Sequence, residues 1–308
     1  MIENEFIPLS HRFISVTGAD AEKFLQGQSS CDLTALDNNH ACFGTFNTPK
    51  GRMYSLFKAV RIQDGFLLGV QHETLPSIIE KLNKYKVFFK CTLQEDAQYR
   101  AFGLILQPEL KNTPVALTDL PTENMQITKP SEQKVIFKVP NAENMYEIWM
   151  TETELHQQDQ IDQQITQESS ASQEEWFARE TLTGIPELYP STEEKFILQT
   201  LNLQELGAVS FSKGCYTGQE IIARMKFLGK QKKKMYCLRS NEKFCVKPSS
   251  DIIDSEGHKC GLVVRSHYSK TLGSIALGIL NIDNTNMAKS YLLGDTSSPE
   301  FSVNEISY

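Results

Sequence analysis

The stretch CFGTFNTPKGRMYSLFKAVRIQDGFLLGV, residues 42–70, constrains the fold most. Apolar and polar positions alternate along it, and it breaks twice at turn residues, at Thr48-Pro49-Lys50-Gly51 and at Gln63-Asp64-Gly65. Strands separated by so few residues have no room for a helical crossover, so they pair as antiparallel hairpins and an all-parallel sheet is excluded. Upstream, ISVTGADAEKFLQGQSSCDLTAL reads as a strand, a turn at Gly18 and a helix capped near Asp20 that buries Phe24 and Leu25. Downstream, ETLPSIIEKLNKYKVFFKCTLQ supplies a helix ending near Lys84 and another strand. The class is α+β.

Further along, MYEIWM reads as a strand. The Gln-rich segment after it carries Leu155, Ile161 and Ile165 at helical spacing, with Ser169–Ser172 as its loop. The short alternating segments MYCLRS, GLVVRSHYS, SIALGIL and SYLLG, separated by turn residues, predict a C-terminal β-barrel or sandwich. With 308 residues, more than one packed unit is expected, and the division falls at 1–235 and 236–308.

No apolar run approaches the roughly 20 residues that cross a bilayer, and MIENEFIPLSHRF does not read as a signal peptide, so the cytoplasm is the expected compartment and no membrane partner is expected. Seven cysteines without a C-x-x-C argue against a disulfide framework and a zinc ribbon, and the H-x-C pairs His40/Cys42 and His258/Cys260 are too isolated to assign a metal. Motifs for nucleotide phosphates, zinc proteases and serine hydrolases are absent. The net charge of −7 is unevenly spread, because Ile221–Arg239 holds seven Lys or Arg and no acid. The run Lys226–Lys234 therefore reads either as a solvated turn or as a contact for tRNA phosphates.

The run SKGCYTGQE carries the chemistry. A helix is predicted to begin at Thr217, capped by Thr217 and Glu220, with Tyr216 packing on Ile221. Cys215 then sits just outside the positive end of a helix, two residues from Lys213, and both neighbours favour a thiolate. Gly214 and Gly218 leave the backbone around it open.

LQGQSSCDL, FNTPKGRM, the GIP at 184–186 and KGCYTGQEIIARMKF together resemble the YgfZ family of folate-binding proteins, relatives of the aminomethyltransferase of the glycine cleavage system. The resemblance implies a three-domain ring of antiparallel sheets, a ferredoxin-like domain and a C-terminal barrel around a folate-binding opening. It implies tetrahydrofolate or another reduced folate as ligand, and iron–sulfur proteins, including enzymes that methylthiolate tRNA, as partners. Cys215 and Lys213 become the reactive pair, within a motif completed by Gly214, Tyr216, Gly218, Gln219 and Glu220. Trp176 and His11 fall where relatives carry folate-contacting aromatics. Leu182 stands where the aminomethyltransferases hold the pterin with a glutamate, Glu180 lies two residues upstream, and the transferase's acid near residues 69–74 is not evident. An accessory role in supporting iron–sulfur enzymes is therefore expected ahead of a folate-dependent one-carbon transferase, with an RNA-binding module third.

Overall fold

The computed structural model describes residues 6–106, 115–156 and 170–308. After β1 (Ile7–Leu9), the hairpin run forms a sheet from β2 (His11–Thr17), β3 (Cys42–Asn47), β4 (Met53–Ile62), β5 (Gly65–Gln71) and β6 (Thr92–Glu95), in the order β3-β4-β5-β2-β6. A second sheet combines β1 with β7 (Tyr99–Ile105), β8 (Ile127–Ser131), β9 (Lys134–Lys138) and β10 (Met145–Thr151), in the order β1-β7-β10-β9-β8. The chain passes from one sheet to the other between β1 and β2, so the two units are interleaved. All pairings within the sheets are antiparallel, as the short connections require.

The predicted terminal barrel is a closed one of six strands: β11 (Lys233–Ser240), β12 (Asp251–Ile253), β13 (Lys259–Ser269), β14 (Gly273–Asn281), β15 (Ser290–Leu293) and β16 (Phe301–Asn304). It starts at Lys233 rather than residue 236, because Lys233 and Lys234 already pair with Asn281 and Leu280. Two of the three consecutive lysines thus lie in a strand and not in a turn.

Helices α1 (Ala21–Gln28) and α2 (Leu75–Lys86) cover the first sheet, burying Phe24, Leu25, Ile78 and Leu82. After the short α3 (Glu152–His156), which contains Leu155, the positions 161 and 165 of the expected Gln-rich helix lie outside the described residues. Ser170 is the first residue of α4 (Ser170–Leu182), so positions 170–172 of the loop expected at 169–172 are helical, and position 169 lies outside the described residues. Helix α4 packs across β13, β14 and β1, and α5 (Gln219–Phe227) leads towards the barrel. One apolar core runs through all three units, joining Phe13 and Trp149 of the sheets to Trp176 of α4 and to Ile275 and Leu277 of the barrel. Among the described residues no helix is long and apolar enough to cross a membrane.

Candidate functional site

Where the two sheets, α4 and the barrel meet, a cleft is lined by His11, Phe43, Lys58, Glu180 and Arg265 among others. Each unit places a charge there. Strand β10 is buried along its whole length, so Glu147 at its centre cannot reach water and needs protein partners. It is ion-paired with Lys58 of β4, accepts a hydrogen bond from Trp149 Nε1 at 2.7 Å, and lies 3.1 Å from His11 Nδ1. Helix α4 contributes Glu180, whose Oε1 is 3.4 Å from Lys58 Nζ and whose Oε2 accepts from Arg265 at 3.1 Å. The ladder between β13 and β14 shifts register between Val263 and Arg265, and that bulge re-aims the arginine into the interior. Arg265 also donates to the Ile185 carbonyl at 3.1 Å and lies 3.8 Å from Glu187.

Two cations against two fully enclosed carboxylates make the network self-neutralising. Burial opposes ionisation of Glu147, but the charge of Lys58, with the His11 ring in contact, outweighs it and holds the carboxyl at about 2. Glu180, despite the same burial, is held below the usual carboxylate range by Lys58 and Arg265. Burial would strip Lys58 of its proton, yet Glu147 and Glu180 raise it. Next to the guanidinium, half-buried His267 is pushed down to about 3 by desolvation and by Arg265, and is neutral.

Of the residues expected at the folate site, His11 lines the cleft and Trp176 does not. Trp176 is fully buried with its ring over Gly103 of β7, where an added Cβ would come within 2.4 Å of it. Its ring therefore packs in the core and does not line the cleft. The second tryptophan, Trp149, is the one beneath the cleft, its ring covering the cleft-lining Gly69. Leu182 is turned out to solvent, and Glu180, two residues earlier on α4, occupies the interior position instead. Glu73, in the stretch where a transferase acid was sought, is exposed and bonded to the Gln71 amide at 3.1 Å. Lys58, Glu147 and Arg265 were not singled out from the sequence. The available signal was a lone glutamate in the centre of an otherwise apolar strand.

The SKGCYTGQE segment forms a tied loop beside α1 and the β3–β4 turn. Lys213 does not direct its ammonium at Cys215. Its Nζ donates to the carbonyls of Gln26 at 2.8 Å, Ser29 at 2.9 Å and Cys31 at 2.7 Å, and desolvation there brings it down to about 8. Thr217 donates its N–H to the Gly27 carbonyl at 3.1 Å and its hydroxyl to Gln28 Oε1 at 3.2 Å. The predicted capping box is absent. Helix α5 begins at Gln219, capped by Gly218 in the left-handed region (φ 87°), because an added Cβ at 218 would lie 2.7 Å from the Thr48 carbonyl. Gly218 also backs on Gly51 (φ 69°) of that turn. Tyr216 is buried under the loop and Cys215 is exposed.

LQGQSSCDL, FNTPKGRM and KGCYTGQE are therefore neighbours in space. The chain is 31% identical over 228 residues to the tRNA-modifying protein YgfZ of Enterobacter sp. (strain 638), covering 74% of this chain and 69% of that protein. It is likewise 31% identical over 241 residues to the tRNA-modifying protein YgfZ of Cronobacter sakazakii, covering 77% and 71%. The chain belongs to the YgfZ family. No family model matches it. In fold it is similar to the glycine cleavage system aminomethyltransferase T of Bartonella henselae, with a TM-score of 0.69, 15% identity, and coverage of 98% of this chain and 85% of that one. The family's α+β architecture of antiparallel sheets and a terminal barrel is thus present along essentially the whole chain.

Proposed function

We propose that this YgfZ-family protein is a cytoplasmic, folate-binding accessory factor that supports iron–sulfur enzymes, those that methylthiolate tRNA among them, and that Cys215 supplies its reactive thiol. The observation that carries the reading is the cleft at the three-unit junction, with Glu180 inside it. A pterin presents an amino group and a ring N–H side by side, which a carboxylate accepts as a pair. Each Glu180 oxygen is met by one cation and keeps a second lone pair, so the residue can take that pair without losing Lys58 or Arg265. Arg265 Nε is buried without a partner, which leaves a donor for a ligand acceptor, and Phe43 and Phe57 supply apolar walls. His11 and Glu180 are the side chains that would hold a reduced folate, with Trp176 behind them in the core.

What supports Cys215 is its setting. Lys213 anchors the loop before it, Thr217 and Gly218 anchor the loop after it, and the thiol between them faces solvent. Lys213 is a positioning residue in this reading.

Calorimetric titration with tetrahydrofolate tests the cleft. Binding is expected, with Trp149 fluorescence changing on saturation. Glu180→Gln, which keeps the size and removes the charge, should weaken binding by about tenfold or more, the scale of a charge-assisted hydrogen bond. Absence of binding heat at millimolar tetrahydrofolate would rule out the folate reading.

A further inference from the structure

A second concavity, of about 750 Å³, runs between the β3–β4 turn, the end of α5 and the barrel, away from the charged cleft. Its cations come from four separate parts of the chain: Arg52, Lys195, the Lys230/Lys232/Lys233 group, and Lys259. Only the Lys230/Lys232/Lys233 group belongs to the basic run visible in the sequence. Among the described lining residues the one carboxylate is Asp251, and Lys259 pairs with it at 2.6 Å. Arg52, Lys195, Lys232 and Lys233 have no carboxylate within ion-pair distance among the described residues, and Lys230 meets only the exposed Asp283 at 3.3 Å. In a protein of net charge −7 this groove is a concentrated positive site.

Charge alone does not make it a ligand site, and two further features do. Its floor is apolar, with Phe196, Leu262 and Ile279, and Gln199 in its wall is 3% exposed with Oε1 lacking any partner. A buried acceptor left open costs free energy unless something fills it. Two residues before the lining Gly229, Phe227 is 67% exposed at the end of α5, edge-on to Phe211 at 5.9 Å.

We propose that this groove binds a single-stranded segment of RNA, its phosphates along Arg52, Lys195, Lys232 and Lys233, a base stacked on Phe227, and Gln199 Oε1 accepting from a ribose hydroxyl or a base amino group. A duplex presents only backbone to such a surface, whereas an unpaired strand offers the faces that an apolar floor and an exposed aromatic can use. The choice of RNA over other polyanions rests on the proposed role in tRNA modification. The groove meets the Cys215 loop through Gly51, adjacent to Arg52 and packed against Gly218.

Fluorescence anisotropy with a labelled single-stranded RNA of about 12 nucleotides, titrated at several salt concentrations, tests this. Wild type should bind, with affinity falling as salt rises. Arg52→Glu/Lys195→Glu, which leaves the sequence run untouched, should weaken binding at least tenfold and flatten the salt slope by about 1.4, or about 0.7 for each lost single-strand contact. Phe227→Ala should weaken binding by about fivefold or more with the slope unchanged. No RNA binding by wild type at low salt, or an unaltered double variant, overturns the proposal. So does displacement of the RNA by polyglutamate as readily as by unlabelled RNA, which assigns the groove to acidic polypeptides. Tetrahydrofolate heats should be equal in wild type and variants. Failure of RNA binding with those heats intact is a failure of the groove alone, while RNA binding without folate heat supports the groove and defeats the folate reading.

Discussion

Replacing Glu147 by Gln removes one charge from the enclosed network and changes little else, because the amide oxygen can still accept from Trp149 Nε1. Lys58 is left facing Glu180 at 3.4 Å, and Glu180 is already shared with Arg265. The loss can be worked from protonation. An ordinary glutamate titrates at 4.5 and this one is held at about 2, a difference that corresponds to about 3 kcal/mol of stability. The range for removing one partner of a buried pair, about 3–5 kcal/mol, agrees. The sign follows from the lowered value: the folded state binds the proton less well than the unfolded chain, so the contribution is complete above about 4.5 and is lost as pH falls towards about 2. Urea unfolding of both proteins at neutral pH should separate them by about 3 kcal/mol. The gap should narrow steadily across the acid range. A gap that stays constant with pH would show that the variant loses packing and not charge, and the account of a self-neutralising network would fail.

The tied loop gives three further tests. Gly218→Ala should cost about 1–3 kcal/mol in thermal or urea unfolding, since position 218 needs the left-handed region and Thr48 leaves no space for a Cβ, whereas Gly214→Ala, which meets nothing within 4 Å, should stay within about 0.5 kcal/mol. Lys213→Met should destabilise by about 2–4 kcal/mol by leaving the Gln26, Ser29 and Cys31 carbonyls short of their donor; an unchanged midpoint would contradict that role. Mass-spectrometric timing of iodoacetamide labelling at neutral pH should find Cys215 modified first, ahead of the other exposed cysteine, Cys245, whose thiol desolvation pushes up, and Cys215→Ser should fold normally yet fail to restore iron–sulfur enzyme activity in a deletion strain.

The sheets and the barrel were legible because strand periodicity and turn residues are local properties, and residues 42–70 carry both. The cleft was not, because its contacts are long-range. Lys58 and Glu147 are 89 residues apart, Glu180 and Arg265 are 85 apart, and the bulge that turns Arg265 inward exists only once β13 has paired with β14. The start of α5 shows a local signal overruled by a tertiary one. Thr217 and Glu220 have the spacing of a capping box, but Thr217 is drawn onto Gly27 and Gln28 of α1, and contact with the β3–β4 turn makes Gly218 the cap. The burial of Trp176 is illegible for a similar reason: its ring lies over Gly103, and nothing local records that contact.

That outcome changes what SKGCYTGQE means physically. Read along the sequence, the lysine and the helix start are two influences acting on the cysteine; in space, both are turned to other work. Lys213 draws together the carbonyls that end α1, in the LQGQSSCDL stretch, and Gly218 closes against the turn of FNTPKGRM. Each of the three motifs thus supplies one side of a single loop-holding assembly, which explains why they occur together in one chain. Within SKGCYTGQE, Lys213, Tyr216, Thr217 and Gly218 have interior or neighbouring partners, while Cys215 faces outward. A connection between two elements does not need a lysine buried at the cost of desolvation, because a solvated turn would join them with less strain. The arrangement makes sense if the position of residue 215 matters: the loop is tied on both sides of an exposed thiol, and Arg52 of the groove follows the glycine on which Gly218 rests.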